Sequence, residues 1–313
     1  MGWFIVKRLT SLIPILFGIS LITFSLIHLT PGDPATAYLR ASHIPPTDEA
    51  VAALRMELGL DKPLYAQYLE WLGNVIQLDL GMSYVSKESV WNEIMLYFFP
   101  TVQLALASCI LIVVIGLPIG MISAVYKGKL VDQVSRIIAF ISVSMPAFWF
   151  GFLLIYFLSV KLDLFPVLGR GTFAHLVLPS LTLALPYIGT YMRLLRASML
   201  EDLNEPFVLY ARARGMRERL IISRHVLKKS LLPVLTGFGM SFGNMLSGAV
   251  IVETVFAWPG MGQLFVTSIL SRDYPMIQGC LLFMGVIFVV CNLLVDLAYA
   301  FLDPRIRWEG EQE

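Results

Sequence analysis

Apolar residues dominate six stretches of this chain: 9–29, 101–126, 137–160, 176–195, 231–251 and 279–302. Each is near the roughly 20 residues of helix that cross a bilayer core. The pattern predicts an all-α polytopic membrane protein with six transmembrane helices. It divides into a tail (1–8), a first span (9–29), an extracytoplasmic cap (30–100), a core of five spans (101–302) and a second tail (303–313). Lys7 and Arg8 ahead of the first stretch have the look of a signal peptide, but the stretch is long. Thr30-Pro-Gly-Asp-Pro, which follows it, is no small-residue cleavage site. A retained anchor is expected.

The polar connections are unequal. Residues 30–100 are too many for a plain loop. Thr47-Asp-Glu followed by Val51, Leu54 and Leu58 predicts a capped amphipathic helix ending near Gly59. Tyr65, Tyr68, Leu69 and Leu72 predict a second. This cap either covers helix ends or meets an extracytoplasmic partner. Between the fourth and fifth stretches, Asn204-Glu-Pro can open a helix over Phe207 to Arg214, with Asn204 as its cap. Gly215 permits a left-handed turn. A second helix runs from about Glu218 through His225 into the fifth span, with Ile221, Ile222 and Val226 on neighbouring positions. The region 204–229 thus reads as a short helix-turn-helix, basic on one side and apolar on the other. Such a shape suits a groove on another protein.

Composition narrows the class. Hydrophobic residues make up 57% and charged residues 14%, a balance that excludes an ordinary soluble domain. A net charge of +1 gives no reason to expect nucleic acid. Cys109, Cys280 and Cys291 fall inside apolar runs and read as core-filling residues. With the N-terminus inside, sixteen of the 23 Lys and Arg residues fall in cytoplasmic segments. The positive-inside bias therefore predicts both ends in the cytoplasm.

Candidate chemistry is sparse. Asp296, inside the sixth span, either lines a pathway or pairs near the interface. Glu253, opening an outer connection, either lines an entrance or caps a turn. His28, at the outer end of the first span, suits a hydrogen-bonded interfacial role better than a metal. Pro118, Pro146 and Pro186 fall within spans and predict kinks or broken helices. Four scattered histidines without a His-Glu-x-x-His pattern give neither catalytic residues nor a metal site. The chain has no Gly-x-x-x-x-Gly-Lys-Ser/Thr phosphate loop, so any ATP and Mg would be bound by another subunit.

Tyr210-Ala-Arg-Ala-Arg-Gly215, followed by Arg224-His-Val-Leu, resembles the coupling motif of binding-protein-dependent ABC importer permeases. The usual motif is Glu-Ala-Ala, three residues and Gly. Laid on Gly215, its Glu place holds Leu209 and its Ala places hold Tyr210 and Ala211. The later Pro place holds Lys228, with Pro233 further on. These departures are similar to the nickel and peptide branch. So are Thr30-Pro-Gly-Asp-Pro, Leu58-Gly-Leu-Asp-Lys-Pro-Leu, Ser144-Met-Pro-Ala-Phe-Trp, Leu194-Leu-Arg-Ala-Ser-Met-Leu, Phe256-Ala-Trp-Pro-Gly-Met-Gly and Leu302-Asp-Pro-Arg.

The resemblance implies a type I ABC importer permease fold in a bacterial cytoplasmic membrane. Tyr210, Ala211, Arg212, Ala213, Gly215 and His225 would couple to the ATPases. The implied partners are a second, homologous permease, two cytoplasmic ATPase subunits that hold ATP and Mg, and an extracytoplasmic solute-binding protein. Phe288-Val-Val-Cys-Asn-Leu-Leu-Val-Asp-Leu and Arg272-Asp-Tyr-Pro-Met-Ile-Gln are most similar to nickel permeases. Nickel, carried as a chelate, is therefore the first expectation, and a dipeptide or oligopeptide the alternative.

Overall fold

The computed structural model describes the backbone of residues 2–29 and 32–302 and the side chains of 10–26, 28–29, 32–246 and 249–295. Expectations placed on the side chains of Lys7, Arg8 and Asp296, on Thr30 and Pro31, and on 303–313 lie outside these described residues. Every regular element among them is helical. In chain order these are α1 (Gly2–Leu29), α2 (Pro34–Ala41), α3 (Asp48–Glu57), α4 (Leu64–Ile76), α5 (Val90–Leu111), α6 (Leu117–Val125), α7 (Leu130–Ser144) and α8 (Ala147–Leu154). There follow α9 (Phe173–Asp202), α10 (Pro206–Ala213), α11 (Glu218–Leu220), α12 (Leu227–Gly248), α13 (Val250–Val255), α14 (Met261–Ser271) and α15 (Tyr274–Leu302). Wider π-helical turns at Ile112–Gly116, Ile155–Lys161 and Ile221–Val226 join α5 to α6, extend α8, and join α11 to α12. The chain forms two compact units, Met1–Thr101 with Pro259–Glu313, and Val102–Trp258.

In the first unit the predicted α3 and α4 both appear. Thr47 Oγ1 accepts the Ala50 amide at 3.3 Å and starts α3. Gly59, at φ +66°, ends it, with Gly59 N bonded to Met56 O (3.2 Å) and Leu60 N to Arg55 O (2.9 Å). A further helix, α2, was not foreseen from apolar periodicity. Its start signal is the Asp33 carboxylate, which accepts from Thr36 N at 3.0 Å, followed by Pro34 in the first turn. Buried Ala35, Leu39 and Leu54 hold α2 to α3. Tyr68 of α4 packs on Phe24 of α1 with ring centroids 5.3 Å apart, and its hydroxyl lies 2.8 Å from Ser20 Oγ.

Two boundaries differ from expectation. The second span starts at Val90 rather than residue 101, and α15 starts at Tyr274 rather than 279. The connection before α15 also contains α14. The reason is one carboxylate. Asp273 accepts from Ser83 Oγ, from Tyr84 N (3.1 Å) and from Met276 N (3.4 Å), capping α15 while fixing the loop ahead of α5. Gly279 lets the two helices meet. A Cβ there would lie 2.5 Å from Val90 Cγ1, and Val90, Ile94, Met261, Leu264, Met276 and Cys280 bury one another around it.

In the second unit α9 is the centre, packed by α6, α7, α8, α12 and α13. Glycines allow backbone approach, as in membrane helix packing generally. A Cβ on Gly120 would sit 2.7 Å from Met192 O, and one on Gly189 would sit 2.8 Å from Ala139 O.

Three helices are long and apolar enough to cross a membrane: Val90–Val125, Phe173–Asp202 and Tyr274–Val295. Leu130–Ser144 and Ala147–Lys161 qualify only as a pair bent by 108°, which raises the count to four. The break falls at Met145-Pro146, where proline cannot continue the helix. Pro118 stands in the first turn of α6 and Pro186 inside an unbroken α9. The described apolar part of α1, Thr10–Leu26, is shorter than a full span. α12 does not qualify: it opens with Lys228 and Lys229 and is rich in glycine and polar residues. Among the described residues, length and composition thus support three or four crossings, against the six predicted from apolar runs.

Overpacking a tight helix crossing costs about 1–3 kcal/mol. Gly120→Val should therefore lower the thermal midpoint of the detergent-solubilised protein by several degrees. Gly18→Ala, where a Cβ meets nothing within 4 Å, should leave it unchanged. Size-exclusion profiles after a heating series read both, and equal midpoints for Gly120→Val and the parent would contradict the packing.

Candidate coupling site

The segment between α9 and α12 folds as a helix, a sharp turn and a second helix. Its first helix, α10, starts at Pro206 with Glu205 as the N-cap residue, and no side chain caps it. The expected cap, Asn204, serves the preceding helix instead: its Nδ2 donates to Leu200 O at 2.7 Å, satisfying a carbonyl at the end of α9. At the other end, Gly215 has φ +75°. Gly215 N donates to Arg212 O (2.9 Å) and Met216 N to Ala211 O (3.2 Å), the paired bonds that close a helix through a left-handed glycine. Across this turn Arg212 grips Glu218, with Nε 3.1 Å from Oε2. Those hydrogen bonds hold the Glu218 carboxyl below the usual carboxylate range, so the pair is intact at neutral pH and is lost only in acid.

The segment's faces are now assignable. Val208, Ile221 and Val226 are buried, so the apolar positions expected on an outward face instead anchor the segment to its own unit. Outward stand Leu209 (68% exposed) and Tyr210 (69%), with Arg212, Ala213, Gly215 and His225 also exposed and Ala211 half-buried. His225 joins Phe207, Arg224, Lys228, Lys229 and Leu232 around an open groove of about 390 Å³. An apolar pair beside a basic groove is a surface that a protein partner can grip.

One buried carboxylate closes this segment onto α9, and a second fastens α9 to α7. Asp202, at the end of α9, accepts from Ser230 Oγ (2.6 Å) and Lys229 Nζ (2.8 Å) of α12, and Lys229 also reaches Glu205 at 3.3 Å. Asp132 of α7 accepts from Arg196 of α9 at 2.7 and 2.9 Å, from Ser123 Oγ at 2.7 Å and from Gly128 N at 2.9 Å. Sequence reading singled out neither. The signal was Arg196, a guanidinium in the apolar run of Leu194-Leu-Arg-Ala-Ser-Met-Leu, which requires a partner.

The other candidates belong to different units. His28 belongs to the first unit and hydrogen-bonds through both ring nitrogens, to Phe24 O (3.0 Å) and to Gln67 Oε1 (3.2 Å). Glu253 belongs to the second and is fully buried inside α13, rather than opening a loop. Its carbonyl accepts from Trp258 N at 2.8 Å and closes the turn after α13. The Asp296 side chain is outside the described residues.

Comparison with known proteins agrees along the whole chain. Residues 116–308 match the family described as "Binding-protein-dependent transport system inner membrane component", and residues 1–105 match its N-terminal region. The chain is 40% identical over 307 residues to the glutathione transport system permease protein GsiC of Escherichia coli strain K12, covering 98% of this chain and 99% of the relative. Its identity to the protein of that name from Pectobacterium atrosepticum is 42% over the same coverage. Among solved structures, an inward-facing MetNI methionine ABC transporter shares the fold, with TM-score 0.53 and 17% identity, over 67% of this chain and 96% of that one. An amino acid ABC transporter solved with histidines gives TM-score 0.52 and 17% identity, over 68% and 94%.

Because a Cβ on Gly215 meets nothing within 4 Å, a substitution there acts through backbone strain alone. A branched residue at positive φ costs on the order of 1 kcal/mol or more, which α10 can relieve by changing its angle. Gly215→Val is expected to insert and accumulate normally while substrate-stimulated ATP hydrolysis by the assembled transporter falls. Normal uptake by that variant at normal expression would remove Gly215 from the coupling role.

Proposed function

We propose that this chain, which belongs to the family of binding-protein-dependent transport system inner membrane components, admits a small peptide of the glutathione class to the cytoplasm. Family membership makes it a multi-pass permease subunit of an ABC importer. The cargo reading rests on one observation: identity of 40–42% along 98% of the chain with permeases named for glutathione transport. Nickel, the first expectation, is less well supported. Of the residues that pointed to it, Asp273 of Arg272-Asp-Tyr-Pro has structural work of its own, capping α15 and holding the loop at Ser83 and Tyr84.

In this reading the exposed face of α10, with Leu209, Tyr210 and Arg212, seats against an ATPase subunit, and the Gly215 turn sets its angle. A second, related permease completes the pathway, two ATPase subunits bind ATP and Mg, and an external binding protein delivers the peptide. Movement of the ATPases is passed on by rigid-body rotation, because Lys229 of α12 engages Glu205 and Phe207 at the start of α10 while also holding Asp202 at the end of α9. Residues 204–229 then lie in the cytoplasm, with both chain ends, and 32–89 outside.

Uptake by the assembled transporter with its own binding protein tests the cargo. Saturable accumulation of labelled glutathione or a dipeptide is expected, with none of nickel, whether free or chelated by histidine. Nickel accumulation without peptide uptake would reverse the assignment.

Orientation has a separate test, in a background with the three native cysteines replaced. An impermeant thiol reagent applied outside should label Ser86→Cys and Ser271→Cys and spare Arg217→Cys; the opposite pattern would invert the topology. All three positions are exposed.

A further inference from the structure

The apolar face of α4 is wider than the protein around it covers. At about 100° per residue, Val75, Tyr68, Leu72, Tyr65, Ile76 and Leu69 form one continuous arc on this helix. Its Tyr68 side is covered, with Tyr68 buried and Leu72 and Val75 half-buried. The rest is bare: Tyr65 is 71% exposed, Leu69 62% and Ile76 75%. Polar residues keep to the opposite flank. Gln67, Glu70 and Asn74 there line a cleft of about 330 Å³, and Lys62 pairs with Glu70 at 2.6 Å. The unit that holds α4 thus matches only part of its apolar face.

The place where α4 meets α1 identifies what covers the remainder. The Tyr68 hydroxyl lies 2.8 Å from Ser20 Oγ, and its ring meets Phe17 and Phe24 at 6.3 and 5.3 Å. Trp71 meets the same Phe24 at 5.9 Å. With a rise of 1.5 Å per residue, Phe24 and Ser20 lie about 8 and 14 Å below Leu29, where α1 ends. α4 therefore crosses α1 within its apolar stretch and not beyond its end. Phe17 is exposed although it touches Tyr68, and with Ile13 and Leu21 it forms a bare apolar strip on α1. That strip continues into the bare flank of α4.

We propose that α4 is sunk in the membrane leaflet at the Leu29 end of α1, the outer one when the N-terminus is inside. Tyr65, Leu69 and Ile76 lie against lipid acyl chains, and the flank of Gln67, Glu70 and Asn74 faces water. The inference rests on α1 being a span, as the permease reading requires. Amphipathic helices settle with the apolar face about 5–10 Å into the boundary between headgroups and acyl chains, the depth at which Phe24 stands. α4 carries no lysine or arginine, so apolar area and not attraction to anionic lipid holds it there. The outer cap is thereby pinned to the bilayer by one of its own helices.

The test is fluorescence quenching in the assembled transporter in nanodiscs, with the three native cysteines replaced. Bimane is attached at Leu69→Cys, Ile76→Cys or Asn74→Cys on α4, and at Ile13→Cys to mark α1. One quencher is phosphatidylcholine brominated on its acyl chains, and the other is iodide in the water. Brominated lipid should quench at Leu69, Ile76 and Ile13 about threefold more than at Asn74, with iodide in the reverse order. Adding phosphatidylglycerol should leave the pattern unchanged. Iodide reaching Leu69 and Ile76 as readily as Asn74, while brominated lipid quenches at Ile13, would overturn the proposal and leave α1 a span. Brominated lipid reaching none of the four sites would overturn the span reading, and the proposal with it. Shielding of Leu69 and Ile76 from both quenchers would overturn it in favour of a protein partner on this face.

Discussion

The second unit depends on the carboxylate of Asp132. It accepts a two-pronged guanidinium from Arg196, a hydroxyl from Ser123 and the amide of Gly128, which joins α6, the following turn and α7 to α9 at one buried point. Two charges taken out of water are stable there only because nearly every lone pair is used, and removal of one partner typically costs about 3–5 kcal/mol. The geometry matters as much as the energy. A forked pair fixes direction, so α9 cannot rotate against α7 without separating charges. Glycines complete the constraint from the apolar side, since Gly120 and Gly189 bring backbones too close for sliding.

That rigidity is what the proposed coupling role requires. α10 lies between the end of α9 and the start of α12, and Asp202 with Lys229 and Ser230 closes the two ends on each other. The Gly215 turn and the Arg212–Glu218 pair then set the angle between α10 and α11. A force applied at Leu209 and Tyr210 meets a braced strut. The same economy appears in the first unit, where Asp273 caps one helix and positions the loop that starts another.

How much of this was legible in the chain differs by element. Thr47 and Gly59 bounded α3, and Gly215 announced its turn, because caps and positive φ are local demands that particular residues meet. Asp33-Pro34 carried an equally local signal for α2. Asn204 illustrates the limit: asparagine satisfies an orphan backbone group wherever one is within reach, and here the end of α9 was nearer than the start of α10. Ile221 and Val226 were correctly apolar, but the face they covered turned inward.

By itself, the sequence determined a helical, multi-pass chain with a capped helix after its first apolar run, a glycine-centred turn in the basic connection, and membership of a permease family. These follow from apolar run length, residue-specific backbone freedom and motif order, all of which are written over short distances. Only the tertiary structure decided which charges face each other, since Asp132 and Arg196, or Ser83 and Asp273, are far apart in the chain and meet only after helices pack. It also decided which of the prolines named in the sequence breaks a span, because Pro146 stands at a 108° bend whereas Pro186 lies inside an unbroken α9.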